Sequence, residues 1–231
     1  MPFVELVFPH FSQDEKGRNG QAEYKPKLLQ LLKDRGVFHG HQGLILKENS
    51  EDVTAAQRQV MFLQWPNKEG FFAFAESAEY GAFGQAVKPF SVKAPELHLV
   101  ETQPKGLEDL RKFPFLGLTL IKPGKGDMGN AKGKVEQGFE AALGVGGSYG
   151  VTLNLDEEEL VLLEGFADVK VSLAAPQIAH YLGSNKLSHA HTKAFDEAQT
   201  ELSRAAFLRD IRKLANVYEI LAQIHSIPGL P

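Results

Sequence analysis

The sequence predicts an α+β fold built from two β-α-β-β-α-β units, and three observations carry that prediction. First, Gln59–Tyr80 reads as a buried strand that runs straight into an amphipathic helix. Gln59–Trp65 is apolar, Pro66 and Asn67 break it, and Phe71, Phe72, Phe74, Ala75 and Ala78 then fall at helical spacing. Second, the same grammar returns in Leu160–Tyr181, where the strand Leu160–Glu164 leads into a helix that again ends at a tyrosine. Third, the elements flanking each junction repeat in one order.

In the first unit Phe3–Phe8 alternates like a strand, and Ser12–Gln21 reads as a polar loop. Lys25–Arg35 carries the stripe Leu28, Leu29, Leu31 and Leu32 of a helix, with Gly36 as its stop. Val37–Lys47 is a second strand, Glu48–Gln57 a polar connection, and the focal strand and helix follow, with a short helical piece at Phe83–Val87. Pro95–Glu101 closes the unit, with Leu97 and Leu99 on one face and His98 and Val100 on the other. This is the ferredoxin-like split order.

The second unit repeats it. Pro114–Ile121 is a strand, Lys132–Leu143 a helix ending in a Gly-rich turn (Gly144, Gly146, Gly147), and Tyr149–Leu155 a strand. Then come the acidic turn Asp156–Glu159, the strand Leu160–Glu164 and the helix Val169–Tyr181. A helical insertion at 194–215 has no counterpart in the first unit, and Val217–Ile227 is the last strand. The expected domains are therefore 1–103 and 113–231, joined by a linker at 104–112.

Composition narrows the function. Apolar content of 43% with 16 Phe supports a true core, and 25 basic against 29 acidic residues give a net charge of −4. Without a clustered positive face, nucleic acid is not an expected partner. The absence of cysteine excludes thiolate catalysis, disulfides and Cys-ligated metal clusters. The N-terminal stretch lacks the pattern of a signal peptide, and no run of about 18 apolar residues offers a membrane span. A cytoplasmic protein with a small-molecule ligand is the expectation.

His39 and His41 stand two apart on a strand and share a face. Such a pair suits proton transfer near neutral pH, or a metal if His10, His98 or a carboxylate joined it. The carboxylate spacing of a cupin site is missing, so no metal is expected. Gly124–Gly129 formally matches G-x-G-x-x-G, but Pro123 and the short chain argue for a plain loop. Ser188–His191 reads as the polar entry to the inserted helix. No nucleophile elbow, Walker loop or H-E-x-x-H is present.

The junction VMFLQWPNKEGFFAFAESAEYGAF resembles the strand–Trp–helix segment of antibiotic-biosynthesis-monooxygenase domains, which belong to the dimeric α/β-barrel group. Trp65, Glu69, Ser77 and Tyr80 fit that pattern. The second unit departs from it, with Phe166 near the Trp position and Pro176 near that of Ser77. The resemblance implies two half-covered sheets closing on each other, here within one tandem-duplicated chain, as a monomeric pseudo-dimer or a homodimer of it. It further implies a cofactor-independent monooxygenase, or a related cyclase or isomerase of secondary metabolism, acting on an aromatic or polyketide-like substrate. His39 or His41 would be the base, and Trp65, Tyr80, Phe62, Phe72, His98 and His10 would bind substrate. The rivals are a non-catalytic ligand-binding or stress-response barrel, and a haem-binding or haem-degrading protein with His39, His41, His98 or His180 as axial ligand.

Overall fold

The computed structural model describes residues 3–103, 110, 112–143, 147–167, 206–228 and 230. Nine strands form one antiparallel sheet: β1 (Phe3–Phe8), β2 (His39–Glu48), β3 (Glu51–Asp52), β4 (Gln59–Trp65), β5 (Glu96–Thr102), β6 (Phe115–Pro123), β7 (Gly147–Thr152), β8 (Leu160–Phe166) and β9 (Ala215–Ser226). Eight of them, in the order β2-β4-β1-β5-β7-β8-β6-β9, close into a barrel through a β2–β9 pairing, and β3 is a short hairpin on the end of β2.

The two seams of the ring are β2–β9 and β5–β7. Each carries a glycine set against the backbone of the neighbouring strand. A Cβ on Gly43 would sit 2.2 Å from the Gln223 carbonyl oxygen, and one on Gly150 would sit 2.2 Å from that of Glu101. Any larger residue would push the seam strands apart.

Alternation along the strands sorts side chains to two faces. Val4, Leu6, Ile45, Phe62, Leu118 and Leu163 point inward and pack the barrel as a core. The outer face is covered by helices. Over the first four strands lie α1 (Glu15–Asp34), α2 (Lys68–Ala75) and α3 (Ala78–Val87), burying Leu32, Leu63, Trp65, Phe71, Phe74 and Leu99. Over the other four lie α4 (Met128–Leu143) and a helical stretch at 206–211, burying Ile121, Ala131, Val135, Leu160, Leu162 and Ile211.

The α+β class and the closed barrel agree with expectation, and several boundaries move. Ser12–Gln21 is not a loop: α1 begins at Glu15, capped by Asp14, whose Oδ1 accepts from the Gly17 amide at 2.8 Å. Its early glycines serve close packing, since a Cβ on Gly20 would run into the Phe90 ring. The focal helix does not end at Tyr80 but breaks at Glu76–Ser77. Ser77 caps α3 by accepting from the Tyr80 amide, so the Ser–x–x–Tyr element starts a helix. The last strand begins at Ala215, which shortens the expected insertion. The helix Val169–Tyr181, most of 194–215, most of the linker 104–112, and His180, His189 and His191 lie outside the described residues.

Candidate functional site

β1 is central in its half of the barrel, paired with β4 on one side and β5 on the other. Both its faces are therefore buried: Val4, Leu6 and Phe8 face the barrel core, while Phe3, Glu5 and Val7 face the helices. A carboxylate at the middle of this strand is held away from bulk water. Glu5 is 3% exposed. Its Oε2 accepts a 2.8 Å hydrogen bond from the indole Nε1 of Trp65, the fully buried residue that ends β4. Burial raises the Glu5 pKa to about 7, against the opposing pull of that hydrogen bond.

Between this face and the helices lies an apolar pocket enclosing about 90 Å³. That is room for roughly six to nine waters. Glu5 lies at its floor, Met61 and Leu63 of β4 beside it, and Leu28, Leu32 and Tyr80 close it from above. Tyr80 packs on Phe74 with ring centroids 4.6 Å apart. Its pKa is pushed up to about 12 by burial, with the Glu5 charge adding to the shift, so it stays a phenol at neutral pH. Two basic groups reach the walls. Burial lowers the pKa of Lys25. It also lowers that of His10, whose Nε2 lies 3.2 Å from Glu96 Oε1.

The residues expected to form the site divide between this pocket and the barrel. Tyr80 and His10 line the pocket, and Trp65 lies beneath it as the partner of Glu5. Phe72 is 37% exposed on the far side of α2. Phe62 belongs to the barrel core. His39 and His41 share a face as expected, but it is the inner one, opposite Gln64 and Phe62 on β4. His41 is 7% exposed and its Nε2 lies 3.5 Å from Ser226 Oγ. His98 is also inside, edge-on to Phe8 and 3.4 Å from Glu159. Neither His39 nor His41 meets His10, because the sheet separates them. Among the described residues no three His, Asp or Glu side chains converge at metal-ligating range.

Sequence reasoning missed Glu5 and Lys25. Glu5 had a signal: a lone carboxylate between Phe3 and Val7 on a strand that the β-α-β-β-α-β order makes central. Lys25 had none, since a lysine at the flank of a leucine stripe looks like any solvated helix residue.

No protein-family model and no curated protein sequence matches the chain. Solved structures do resemble it over nearly its whole length. A proposed monooxygenase from Fusobacterium nucleatum aligns with a TM-score of 0.57 at 7% identity, covering 96% of this chain and 92% of that one. An anthrone oxidase-like protein aligns at 0.54 with 11% identity, covering 100% and 94%. A proposed chlorite dismutase aligns at 0.50 with 12% identity, covering 97% and 95%. At such identities the likeness is one of fold. The closed barrel with helices outside is shared.

Proposed function

We propose that the protein is a cofactor-independent oxygenase of an aromatic or polyketide-like substrate, with the helix-covered pocket as its active site and Glu5 as its base. The observation that carries this reading is a buried carboxylate, poised near neutral pH, at the floor of an apolar pocket walled by Tyr80, Phe74 and Phe83. The tandem duplication expected from the sequence fits the same picture, as two ferredoxin-like units forming a pseudo-dimer. Likeness to an anthrone oxidase-like protein and to a proposed monooxygenase supports the substrate class.

In this mechanism ionised Glu5 takes a proton from an acidic C–H or O–H of the bound substrate, and Lys25 offsets the charge of the resulting anion. The anion delivers its electrons to O₂ and forms a C–O bond. Protonation by Glu5 gives a hydroperoxide, and loss of water leaves a ketone, so that a CH₂ and O₂ become C=O and H₂O. The apolar walls exclude bulk water from the anion. This assigns the base to Glu5 rather than to His39 or His41, which lie across the sheet from the pocket.

The test is oxygen uptake with anthrone-type and polyhydroxylated aromatic substrates. Glu5→Gln keeps the hydrogen bond from Trp65 and is expected to lower kcat at least about 100-fold, with ligand binding retained. His41→Ala is expected to leave kcat within about twofold. The reverse pattern would return the base to the barrel histidines. A Soret band on titration with haemin would favour the haem reading instead, and binding without turnover by any such substrate would favour a pure ligand carrier.

A further inference from the structure

A second cavity of about 420 Å³ adjoins the apolar pocket. The two share walls: Pro9, Phe11, Gln21 and Gln59 line both. Gln21 Nε2 donates to Gln59 Oε1 at 2.6 Å, so an amide pair stands where the compartments meet. Beyond it the lining changes character. Gln13, Arg18 and Gln57 join Phe11 in place of the leucines, and among the described residues that line the cavity Arg18 is the one charged side chain. The Arg18 guanidinium donates to the Gln13 carbonyl, and α1 carries its backbone.

We propose that this cavity is a subsite for an acidic arm of the ligand, so that the protein takes an aromatic carboxylic acid rather than a neutral aromatic. The inference rests on the pocket reading above and extends it. The ring system occupies the apolar compartment over Glu5. The arm passes the Gln21–Gln59 pair, whose amides tolerate a polar chain, and its carboxylate meets the Arg18 guanidinium. Charge sorts the two ends. A ligand carboxylate in the apolar compartment would face Glu5 and lose its hydration, whereas in the polar one it finds a cation and water. The orientation of the ring over Glu5 is thereby fixed by a contact remote from it.

The test compares 4-(2-naphthyl)butanoic acid with its primary amide, two probes of one shape that differ in charge, by fluorescence titration at pH 7.5 and low salt. The acid is expected to bind about fivefold tighter than the amide, a modest margin because Arg18 is solvent-exposed. Arg18→Gln is expected to abolish that margin by weakening the acid alone. Equal binding of acid and amide to the unaltered protein would overturn the subsite, as would an acid preference that survives Arg18→Gln. Leu28→Trp, which fills the apolar compartment, separates the two readings. If it blocks both probes while they bind equally, only the subsite fails. If neither probe binds, or Leu28→Trp leaves binding intact, the pocket reading fails and the subsite with it.

Discussion

The two halves of the barrel are built on one strand order and differ at the same place on their outer faces. In the first half Phe3 pairs with Trp65 at the end of the β1–β4 ladder, and two residues inward Glu5 stands opposite Leu63. In the second half Phe115 pairs with Phe166 at the end of the β6–β8 ladder, and two residues inward Gly117 stands opposite Glu164. The carboxylate has changed strands, and the indole that holds Glu5 has become a phenyl ring with no N–H. That ring lies over the glycine: a Cβ on Gly117 would come within 2.6 Å of it. In the first half the corresponding space above Glu5 belongs to the pocket. Among the described residues, one scaffold thus gives a cavity with a poised acid on one side and a glycine covered by a phenyl ring at the corresponding place on the other. The difference lies in which strand carries the charge and which aromatic ends the neighbouring strand.

This contrast breaks most visibly at the aromatic pair. Trp65 is fully buried, touches Phe71 and Phe74, and satisfies Glu5. Trp65→Ala is expected to cost about 4 kcal/mol, the sum of a cavity and an unpaired buried carboxyl, whereas Phe166→Ala, at a half-buried site, should cost about half that. Urea unfolding of the two variants measures both. Equal losses would mean that the Trp–Glu contact contributes nothing beyond packing.

The next effect is electrostatic. Because the folded-state pKa of Glu5 is about 7 against an ordinary 4.5, the folded state favours the protonated acid. Stability from this group is complete below pH 4.5 and drains away as the pH rises through 7, by an amount on the order of 3 kcal/mol. Glu5→Gln is expected to lack that loss, and therefore to be the more stable protein at pH 8 and no more stable at pH 4. Unfolding midpoints measured across this range decide it. If Glu5→Gln and the unaltered protein lose stability in parallel, Glu5 is ionised at little cost and its role as a poised base falls.

The smallest effect separates the glycines of the covering helices. Gly20 of α1 touches Phe90, whereas among the described residues nothing lies within 4 Å of a Cβ built on Gly133 of α4. Gly20→Ala should destabilise by about 1–3 kcal/mol, while Gly133→Ala should stabilise by about 0.5–1 kcal/mol through helix propensity alone. Thermal melts of the pair sharpen the view that α1 is fitted closely to the segment around Phe90, while the face of α4 bearing Gly133 meets no described residue.

The strands of the described residues were legible because strands write their periods plainly: the alternation of Phe3–Phe8 and the run Gln59–Trp65 needed nothing more, whereas the closed barrel was expected from the family resemblance of the Gln59–Tyr80 junction. Helix starts were not, since Asp14 and Ser77 act through capping geometry, and Gly17 and Gly20 look like loop residues until Ser12 and Phe90 are seen against them. Site residues were legible in part. Tyr80, Trp65 and His10 carry aromatic or titratable side chains that draw notice anywhere. Glu5 escaped because its meaning depends on which face of β1 meets the helices, and the inward placement of His39 and His41 was not readable because titration range is visible in a sequence while sidedness is not.

The β2–β9 seam sets a limit on how fast this protein folds. His41 pairs with Ser226 and Glu48 with Ile220, so the ring cannot close until the last strand has been synthesised and brought back to one of the first. Contacts so distant along the chain are slow to form. Throughout that interval β2 presents a bare edge, its Gly43 open to any passing strand. The vulnerable moment of this molecule is therefore during birth, and a chain halted before β9 is the form a chaperone would have most reason to hold.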